Sequence, residues 1–177
     1  MDYDLRALTE NDKNLIYNWR NAEFIRVNMF QDELIPYEAH CHWFEIILTN
    51  QTAYYRIFRY NSKPLGLVSF KESNPQKKTC FWGFYIGEIQ APKGAGTWMG
   101  SLALDYAFQC LGMKTIIGEV LSFNKKSATY HRKLGFKHDL HYKNTLYRNG
   151  QPINIIRFVL DKEDWEHHKA KLDLNFT

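Results

Sequence analysis

The segment Ala91-Pro92-Lys93-Gly94-Ala95-Gly96-Thr97 combines two glycines at alternate positions with the predicted start of an apolar helix. Glycine allows the backbone to come close to a ligand, and a helix start directs unpaired N–H groups and the positive end of the helix dipole outward. The segment is therefore suited to phosphate, although Gly-x-Gly also occurs in plain turns. It is not a P-loop, because no Gly-Lys-Ser/Thr closes it, and no acidic residue on a following strand supports a dinucleotide fingerprint.

A second segment, residues 124–136, carries a possible acid. On a helix each residue advances by about 100°, so Asn124, Ser127 and His131 share one face, whereas Tyr130 points away from them. A charged His131 could act as a general acid, but with an unperturbed pKa near 6.5 only about a quarter would be charged at pH 7. Two alternatives stay open: a neutral His131 that donates a hydrogen bond, and a histidine that packs without chemical duty.

A carboxylate, Glu119, stands between Gly118 and Val120 in an apolar stretch that reads as a central strand. Burying a carboxylate is costly unless the group has a function or a partner. The position therefore predicts either a group that handles protons or a structural ion pair.

Histidines occur at short spacing in three places: His40 with His42, His138 with His141, and His167 with His168. No cysteine or carboxylate set with zinc spacing accompanies them, so we expect no metal site.

The elements that must position these residues follow from periodicity and turn signals. Strands are predicted at residues 5–8, 53–60, 65–71, 79–86, 115–121, 142–147 and 153–160. Helices are predicted at residues 11–19, 36–48, 96–111, 124–134 and 162–172. The middle strands form an antiparallel meander, a strand-helix-strand crossover follows, and Asn149-Gly150 marks a type I′ hairpin turn. The expected fold is α+β, a mixed, mostly antiparallel twisted sheet of about seven strands with helices on both faces.

The composition is that of a single soluble globular domain over residues 1–177, with 45% hydrophobic and 24% charged residues. The 16% aromatic content hints at a binding site. The net charge of +4 is concentrated locally, with seven basic residues against one acidic residue in 123–148, which indicates either an anionic ligand or a solvated surface. Without a signal peptide or an apolar run of about 20 residues, we expect a cytoplasmic protein with no membrane partner, whose three cysteines are buried thiols.

The order of these segments resembles the GNAT superfamily of acetyl-CoA-dependent N-acetyltransferases. The likeness rests on the strand, Gly94 loop and helix, followed by a strand ending in Asn124 and a helix ending in Lys133-Leu134-Gly135-Phe136. It covers nearly the whole chain. It implies one GNAT domain in which the fourth and fifth strands splay apart to form a slot for acetyl-CoA, and nucleic acid is no longer needed to explain the charge.

The resemblance also implies which residues hold the cosubstrate. Pantetheine should pair with the backbone of Tyr85, Ile86 and Gly87, and the pyrophosphate should lie on the amides of Lys93, Gly94, Ala95, Gly96 and Thr97. Asn124 should contact the pantetheine arm, with Ser127 on the same helix face. The chain departs from the family at Ala91, where Arg or Gln is usual.

For catalysis, the resemblance implies direct attack of the amine on the thioester. Family members commonly carry a tyrosine at the position of His131, where it protonates the departing thiolate. Glu119 and Ser69 match positions suited to hold a water that relays the amine proton to solvent.

A narrower likeness, to the aminosugar-nucleotide N-acetyltransferases of pseudaminic acid biosynthesis, rests on Trp19-Arg20-Asn21, Arg26-Val27-Asn28-Met29, His40 before Trp43-Phe44, and Trp82-Gly83-Phe84-Tyr85. It implies a UDP-linked 4-amino-4,6-dideoxy sugar as acceptor. The expected acceptor-binding residues are Arg26, Asn28, Met29, Phe30, His40, Trp43 and Trp82, with Arg26 suited to a diphosphate. Alternatives are N-terminal acetylation of ribosomal proteins and a catalytically silent acetyl-CoA-binding module. A homodimer is possible.

Overall fold

The computed structural model describes residues 2–50, 52–74 and 76–172. The chain divides into two compact units, the first comprising residues 1–71 and 83–103 and the second residues 72–82 and 104–177. Three elements contribute residues to both: β3 (Lys63–Asn74), β4 (Thr79–Ile86) and α4 (Ala95–Asp105).

The first unit is built on antiparallel strands and short helices. In chain order it contains β1 (Tyr3–Ala7), a 3₁₀ turn (Glu10–Asp12), α1 (Lys13–Asn21), α2 (Glu23–Arg26), α3 (Tyr37–Thr49) and β2 (Ala53–Tyr60). β1 pairs with β2, with Leu5 opposite Phe58, and β2 pairs with β3, with Ile57 opposite Leu67. This register places apolar residues of alternate positions on one face of the sheet, where the core can form.

The core of the first unit lies between these strands and the helices α1 and α3. Ile16 and Trp19 occur three residues apart in α1, and Phe44 and Ile47 occur three apart in α3, so each pair shares a helix face. All four are buried and belong to one apolar cluster together with Ile57 and Leu67 of the strands. The polar residues of α1 therefore lie away from that cluster, on the remaining faces of the helix.

The second unit carries the crossover and the closing hairpin. It contains a π-helical turn (Tyr106–Cys110), β5 (Thr115–Leu121), α5 (Lys125–Lys133), β6 (Lys137–His138), β7 (Asn144–Arg148), β8 (Gln151–Asp161) and α6 (Lys162–Lys169). β4 pairs with β5 in parallel over Thr79–Phe81, and β8 runs antiparallel to β5, β6 and β7.

The predicted α+β class with a mixed sheet is confirmed, and among the described residues the sheet has eight strands where about seven were expected. The additional strand, β6, has two residues, too few to produce a periodic pattern. Asn149 and Gly150 have φ values of 50° and 74°, as the predicted type I′ turn requires. In the described part of the chain, no helix combines the length and the apolar character needed to cross a membrane.

Candidate active site

A cavity of about 410 Å³ opens in the first unit beside α1, α3 and the end of β4. It brings together five of the residues predicted for the site, namely Met29, His40, Trp43, Ser69 and Tyr85. The other lining residues are Ile16, Arg20, Gln31, Ile35, Ala39, Tyr55, Leu67, Gly83 and Phe84. Most of the lining is apolar, with a small number of polar groups, which is the usual composition of a small-molecule site.

One arginine, Arg20, lines this cavity, and a second, Arg26, lies near Arg20. Arg20, at the end of α1, donates from one guanidinium nitrogen to the carbonyl of Gln31 at 3.0 Å, while its other terminal nitrogen is buried without a partner among the described residues. Arg26 donates to the carbonyl of Asp32, and its buried Nε likewise has no partner in the described part of the chain. Burial lowers the pKa of Arg20, and the nearby charge of Arg26 lowers it further. Both guanidinium groups therefore retain a donor that is unpaired among the described residues, and the donor of Arg20 belongs to a residue that lines the cavity.

Arg20 was missed as a binding residue by the sequence reasoning. It directly follows Trp19 in α1. The side chain of Trp19 lies in the core, whereas the side chain of Arg20 lies at the cavity. The signal in the sequence is a lone arginine at the end of an amphipathic helix, and only the tertiary structure shows where it leads.

Tyr85 contributes a side chain as well as the backbone groups expected from the sequence. Its ring lines the cavity, and its hydroxyl oxygen is buried without a hydrogen-bond partner among the described residues. Burial raises the pKa of Tyr85 far above its usual range, and the positive charge of Arg20 only partly offsets this. The phenol is therefore neutral and has a hydroxyl that can serve a bound molecule.

His40 is buried at the cavity edge and its ring orientation is fixed by α1. Its Nε2 lies 2.8 Å from the carbonyl oxygen of Lys13, which can only accept, so Nε2 carries the proton. Burial lowers the pKa of His40, with the hydrogen bond to Lys13 opposing the shift. At neutral pH His40 is thus an uncharged imidazole whose Nδ1 has a lone pair.

Ser69, on β3, lines the same cavity and donates from Oγ to the carbonyl of Gly83 at 3.3 Å. This contact fixes the hydroxyl at the cavity wall. Its expected place in a proton relay stays a prediction.

Four of the expected acceptor residues do not line the cavity, namely Arg26, Asn28, Phe30 and Trp82. Asn28 donates from its side-chain amide to the carbonyl of Phe24 at 3.0 Å on the surface, and Phe30 is 44% exposed. Trp82 belongs to the second unit, is only 6% exposed, and stacks on Phe136 with ring centroids 5.2 Å apart. The expectation that Trp82 packs on the acceptor is therefore corrected: it is a core residue.

His131 also departs from its expected role. It is 2% exposed, and its Nδ1 lies 2.8 Å from the carbonyl oxygen of Ser127, so Nδ1 carries the proton. Nε2 then accepts the Trp82 indole N–H at 3.1 Å. Burial lowers the pKa of His131 to about 4. A neutral ring with both nitrogens engaged does not suit a general acid or a donor to sulfur, and the packing alternative describes it.

Gly118 on β5 makes room for this ring. A Cβ at position 118 would stand 2.3 Å from His131 Nε2 and 2.8 Å from Trp82 Nε1. The absence of a side chain at Gly118 is therefore a condition of the His131–Trp82 contact.

Glu119 forms an ion pair with Arg157 on β8, directly opposite it in the sheet register. Arg157 NH2 and Nε both donate to Glu119 Oε1, at 2.6 and 3.0 Å. The guanidinium of Arg157 also lies over the ring of Tyr142, 3.4 Å from its centroid. The structural ion pair left open by the sequence is thus present, and a relay role for Glu119 stays a prediction.

The loop before α4 has features that fit a pyrophosphate. Gly94 has φ 89°, a left-handed conformation that favours glycine, and α4 begins directly after it at Ala95. Two of the five expected donors are already engaged, since the Ala95 N–H donates to Pro92 O at 3.0 Å and the Thr97 N–H to Gly94 O at 2.9 Å. The contact with pyrophosphate stays a prediction for all five residues, namely Lys93, Gly94, Ala95, Gly96 and Thr97.

The expected pantetheine contacts change in a similar way. The Gly87 N–H donates to Leu65 O at 2.7 Å, so it is not a donor for the cosubstrate, whereas Tyr85 and Ile86 stay as predicted. In the second unit, Asn124 Oδ1 accepts the Ser127 N–H at 3.0 Å and caps α5. Any contact of Asn124 with pantetheine would therefore use its side-chain N–H groups.

Within the described ranges, no group of three or more His, Cys, Asp or Glu residues is placed to hold a metal ion.

Comparison with known proteins gives one consistent family. The model of the acetyltransferase (GNAT) domain matches residues 3–137. Spermidine N(1)-acetyltransferase of Escherichia coli (strain K12) is 25% identical over 170 residues, covering 94% of this chain and 90% of the relative. Its counterpart from Vibrio cholerae serotype O1 is 25% identical over 160 residues, covering 88% and 91%.

Solved structures agree with this result at the level of the fold. The crystal structure of spermidine N-acetyltransferase from Vibrio cholerae in complex with CoA and spermine superposes with a TM-score of 0.84 at 21% identity, covering 93% of this chain and 98% of that one. An N-acetyltransferase from Staphylococcus aureus Mu50 gives a TM-score of 0.72 at 20% identity, with 91% and 99% covered. The expected GNAT fold is confirmed, whereas the narrower likeness to aminosugar-nucleotide enzymes is not, because these sequence relatives are spermidine N(1)-acetyltransferases.

Proposed function

This chain belongs to the GNAT acetyltransferase family and is an acetyl-CoA-dependent N-acetyltransferase, and we propose that its acceptor is the 4-amino group of a UDP-linked 4-amino-4,6-dideoxy sugar, as in pseudaminic acid biosynthesis. We further propose that residues 1–177 act as one catalytic domain.

The positive charge at the cavity is the main observation that supports the proposed acceptor. Its described lining includes Arg20 and no aspartate or glutamate, and Arg26 lies close enough to Arg20 to affect its pKa. Guanidinium groups bind phosphate oxygens through paired hydrogen bonds, whereas a polyamine is a polycation and would be repelled by the same groups. The buried spare donor of Arg20 therefore favours a diphosphate-bearing acceptor over spermidine.

The apolar part of the cavity suits the sugar. Met29, Ile35 and Trp43 offer surface to a deoxy-sugar methyl group, and the Tyr85 hydroxyl offers a hydrogen bond to a ring substituent. Such a combination of apolar walls and few polar groups fixes orientation, which is what direct transfer requires.

In the proposed mechanism the acetyl thioester is the activated acyl group supplied by acetyl-CoA. The neutral amine forms the new C–N bond as the C–S bond breaks, the thiolate leaves with the bonding electrons, and the amine loses one proton. Ser69 holds a water that accepts this proton and passes it toward solvent. His131 takes no part in proton transfer, because its only N–H is donated to Ser127.

The alternative is polyamine acetylation, which the two spermidine N(1)-acetyltransferase relatives favour. The two functions differ in the sign of the charge that the cavity must accept. A single arginine variant therefore separates them.

The decisive experiment compares acetyl-CoA turnover of the whole chain with a UDP-4-amino-4,6-dideoxy sugar, with spermidine and with basic peptides. We expect turnover of the nucleotide sugar, and Arg20→Met should lower its kcat/KM by about 10- to 100-fold, because a hydrogen bond to a charged group is worth about 1.5–3 kcal/mol. Arg59→Met is the matched control, since Arg59 is paired with Asp4 and does not line the cavity.

The same experiment can overturn the proposal in two ways. Faster acetylation of spermidine or peptides than of the nucleotide sugar, with Arg20→Met raising turnover of spermidine, would assign a cationic acceptor. Acetyl-CoA binding without turnover of any amine would assign a silent binding module.

A further inference from the structure

The first residues after β4 are held to α1 by a contact between Trp19 and Glu88. The indole Nε1–H of Trp19 donates to Glu88 Oε1 at 2.9 Å, across 69 positions of the sequence. Trp19 is buried in the core of the first unit, whereas Glu88 is otherwise exposed. A fixed indole thus holds one oxygen of a side chain that would otherwise move in solvent.

Backbone contacts hold the same point of the chain. The N–H groups of Gly87 and Glu88 both donate to the carbonyl of Leu65, at 2.7 and 3.1 Å. A Cβ at Gly87 would stand 2.2 Å from the Trp19 ring, so this position accepts only glycine without displacement. The start of the segment 87–94, which we name the cofactor loop, is therefore anchored on β3 and on α1.

The charge of Glu88 is unusual for its place. A carboxylate at the start of a loop expected to hold an anionic cosubstrate disfavours binding through like-charge repulsion. The function that its geometry does support is that of a hydrogen-bond acceptor for Trp19, and a neutral amide would fill this role equally well.

Trp19 also contacts a residue that lines the acceptor cavity. Its ring meets Tyr85 edge to face, with centroids 6.3 Å apart and planes at 85°, and the next residue in the chain is Arg20. One side chain therefore connects the start of the cofactor loop with the cavity wall.

We propose that Trp19 and Glu88 are positioning residues that hold the cofactor loop in the conformation that binds acetyl-CoA. If the bond is removed, the loop populates other conformations, and the observed Kd rises in inverse proportion to the fraction that is competent. This inference rests on the use of acetyl-CoA by the family and not on the identity of the acceptor.

The test measures the Kd of acetyl-CoA by calorimetric titration without acceptor, and KM and kcat with whichever amine is turned over. Glu88→Ala should raise the Kd and KM for acetyl-CoA about five-fold, the scale of one hydrogen bond, and leave kcat nearly unchanged. Glu88→Gln should bind as tightly as the wild type or more tightly, because it keeps the acceptor and removes the charge. Glu166→Ala, which removes an exposed carboxylate from α6, is the control for charge alone.

A double-mutant cycle identifies the partner. Trp19→Phe keeps an aromatic ring and removes the N–H, so Trp19→Phe with Glu88→Ala should weaken binding no more than the stronger single variant. Unchanged binding by Glu88→Ala, equal weakening by Glu88→Gln and Glu88→Ala, or additive effects in the cycle would overturn the proposal. Because the titration uses no acceptor, failure of the proposed sugar specificity leaves this result interpretable.

Discussion

His131 occupies a place where gaining a proton costs folding free energy. In the folded chain the ring is buried and its pKa is about 4, whereas an unfolded histidine titrates near 6.5. Between these values the unfolded state binds more protons than the folded state. The contribution of His131 to the free energy of unfolding is therefore fully present above about pH 6.5 and is lost as the pH falls toward 4. The tyrosine position of the family has here become part of the core.

This difference predicts a specific acid sensitivity. From pH 7.5 to pH 4 the free energy of unfolding should fall by about 3 kcal/mol on account of His131, as 1.36 kcal/mol per pKa unit implies. Urea unfolding of the wild type and of His131→Gln at several pH values checks this. His40, whose pKa is also lowered, leaves a residual slope in both proteins. An identical pH dependence in the two would contradict the buried neutral assignment.

The roles of some functional residues depend on their neighbours in the sequence, whereas the roles of others depend on residues far along the chain. The cofactor loop belongs to the first group, so Gly94 and the start of α4 could be predicted from the sequence. The hydrogen bond that His131 Nε2 accepts comes from Trp82, 49 positions away, and the cavity role of Arg20 depends on how α1 packs. Residues whose chemistry is set by distant neighbours could not be assigned from local spacing.

At the level of elements, β5 is shaped by what lies against it. Gly118 is one of the buried alternate residues of this strand, between Ile116 and Val120, and it leaves the space that His131 and Trp82 fill. The face of β5 that packs against α5 therefore has no side chain at position 118.

Filling that gap should destabilise the protein. Gly118→Ala should lower the free energy of unfolding by about 1–3 kcal/mol through overpacking and shift the emission of Trp82. Gly112→Ala is a useful comparison: its φ of 66° adds strain, but its Cβ would meet nothing within 4 Å, so the emission of Trp82 should not change. If the losses of unfolding free energy in Gly118→Ala and His131→Ala were strictly additive in the double variant, the contact between position 118 and His131 would not be the cause of the destabilisation.

The elements found from the sequence are those long enough to show a period. The strands at 53–60, 79–86 and 115–121 match β2, β4 and β5 residue for residue because their apolar residues and turn signals are clear. α2 and β6 were missed, since four and two residues contain no full period. The predicted helix at 96–111 ends as a π-helical turn, because Leu111 N–H bonds to the carbonyl of Tyr106.

For the whole molecule, the division into two units bears on how the chain unfolds. Because β3, β4 and α4 contribute residues to both units, neither unit can lose these elements without affecting the other. This continuity is the basis for proposing one catalytic domain over residues 1–177.

One cooperative unfolding transition should follow. Far-UV circular dichroism and tryptophan fluorescence should give the same melting temperature, with equal calorimetric and van't Hoff enthalpies. Variants that retain only Trp43, in the first unit, or only Trp165, in the second, provide a separate probe for each. Two separated transitions would instead indicate two independently folding domains.

The contact among Gly118, Trp82 and His131 also constrains how this sequence can evolve. Each of the three residues restricts the others, so a substitution at one is tolerated only after a compensating change at another. Related chains should therefore vary at these positions together, and a chain with a side chain at position 118 should lack this imidazole.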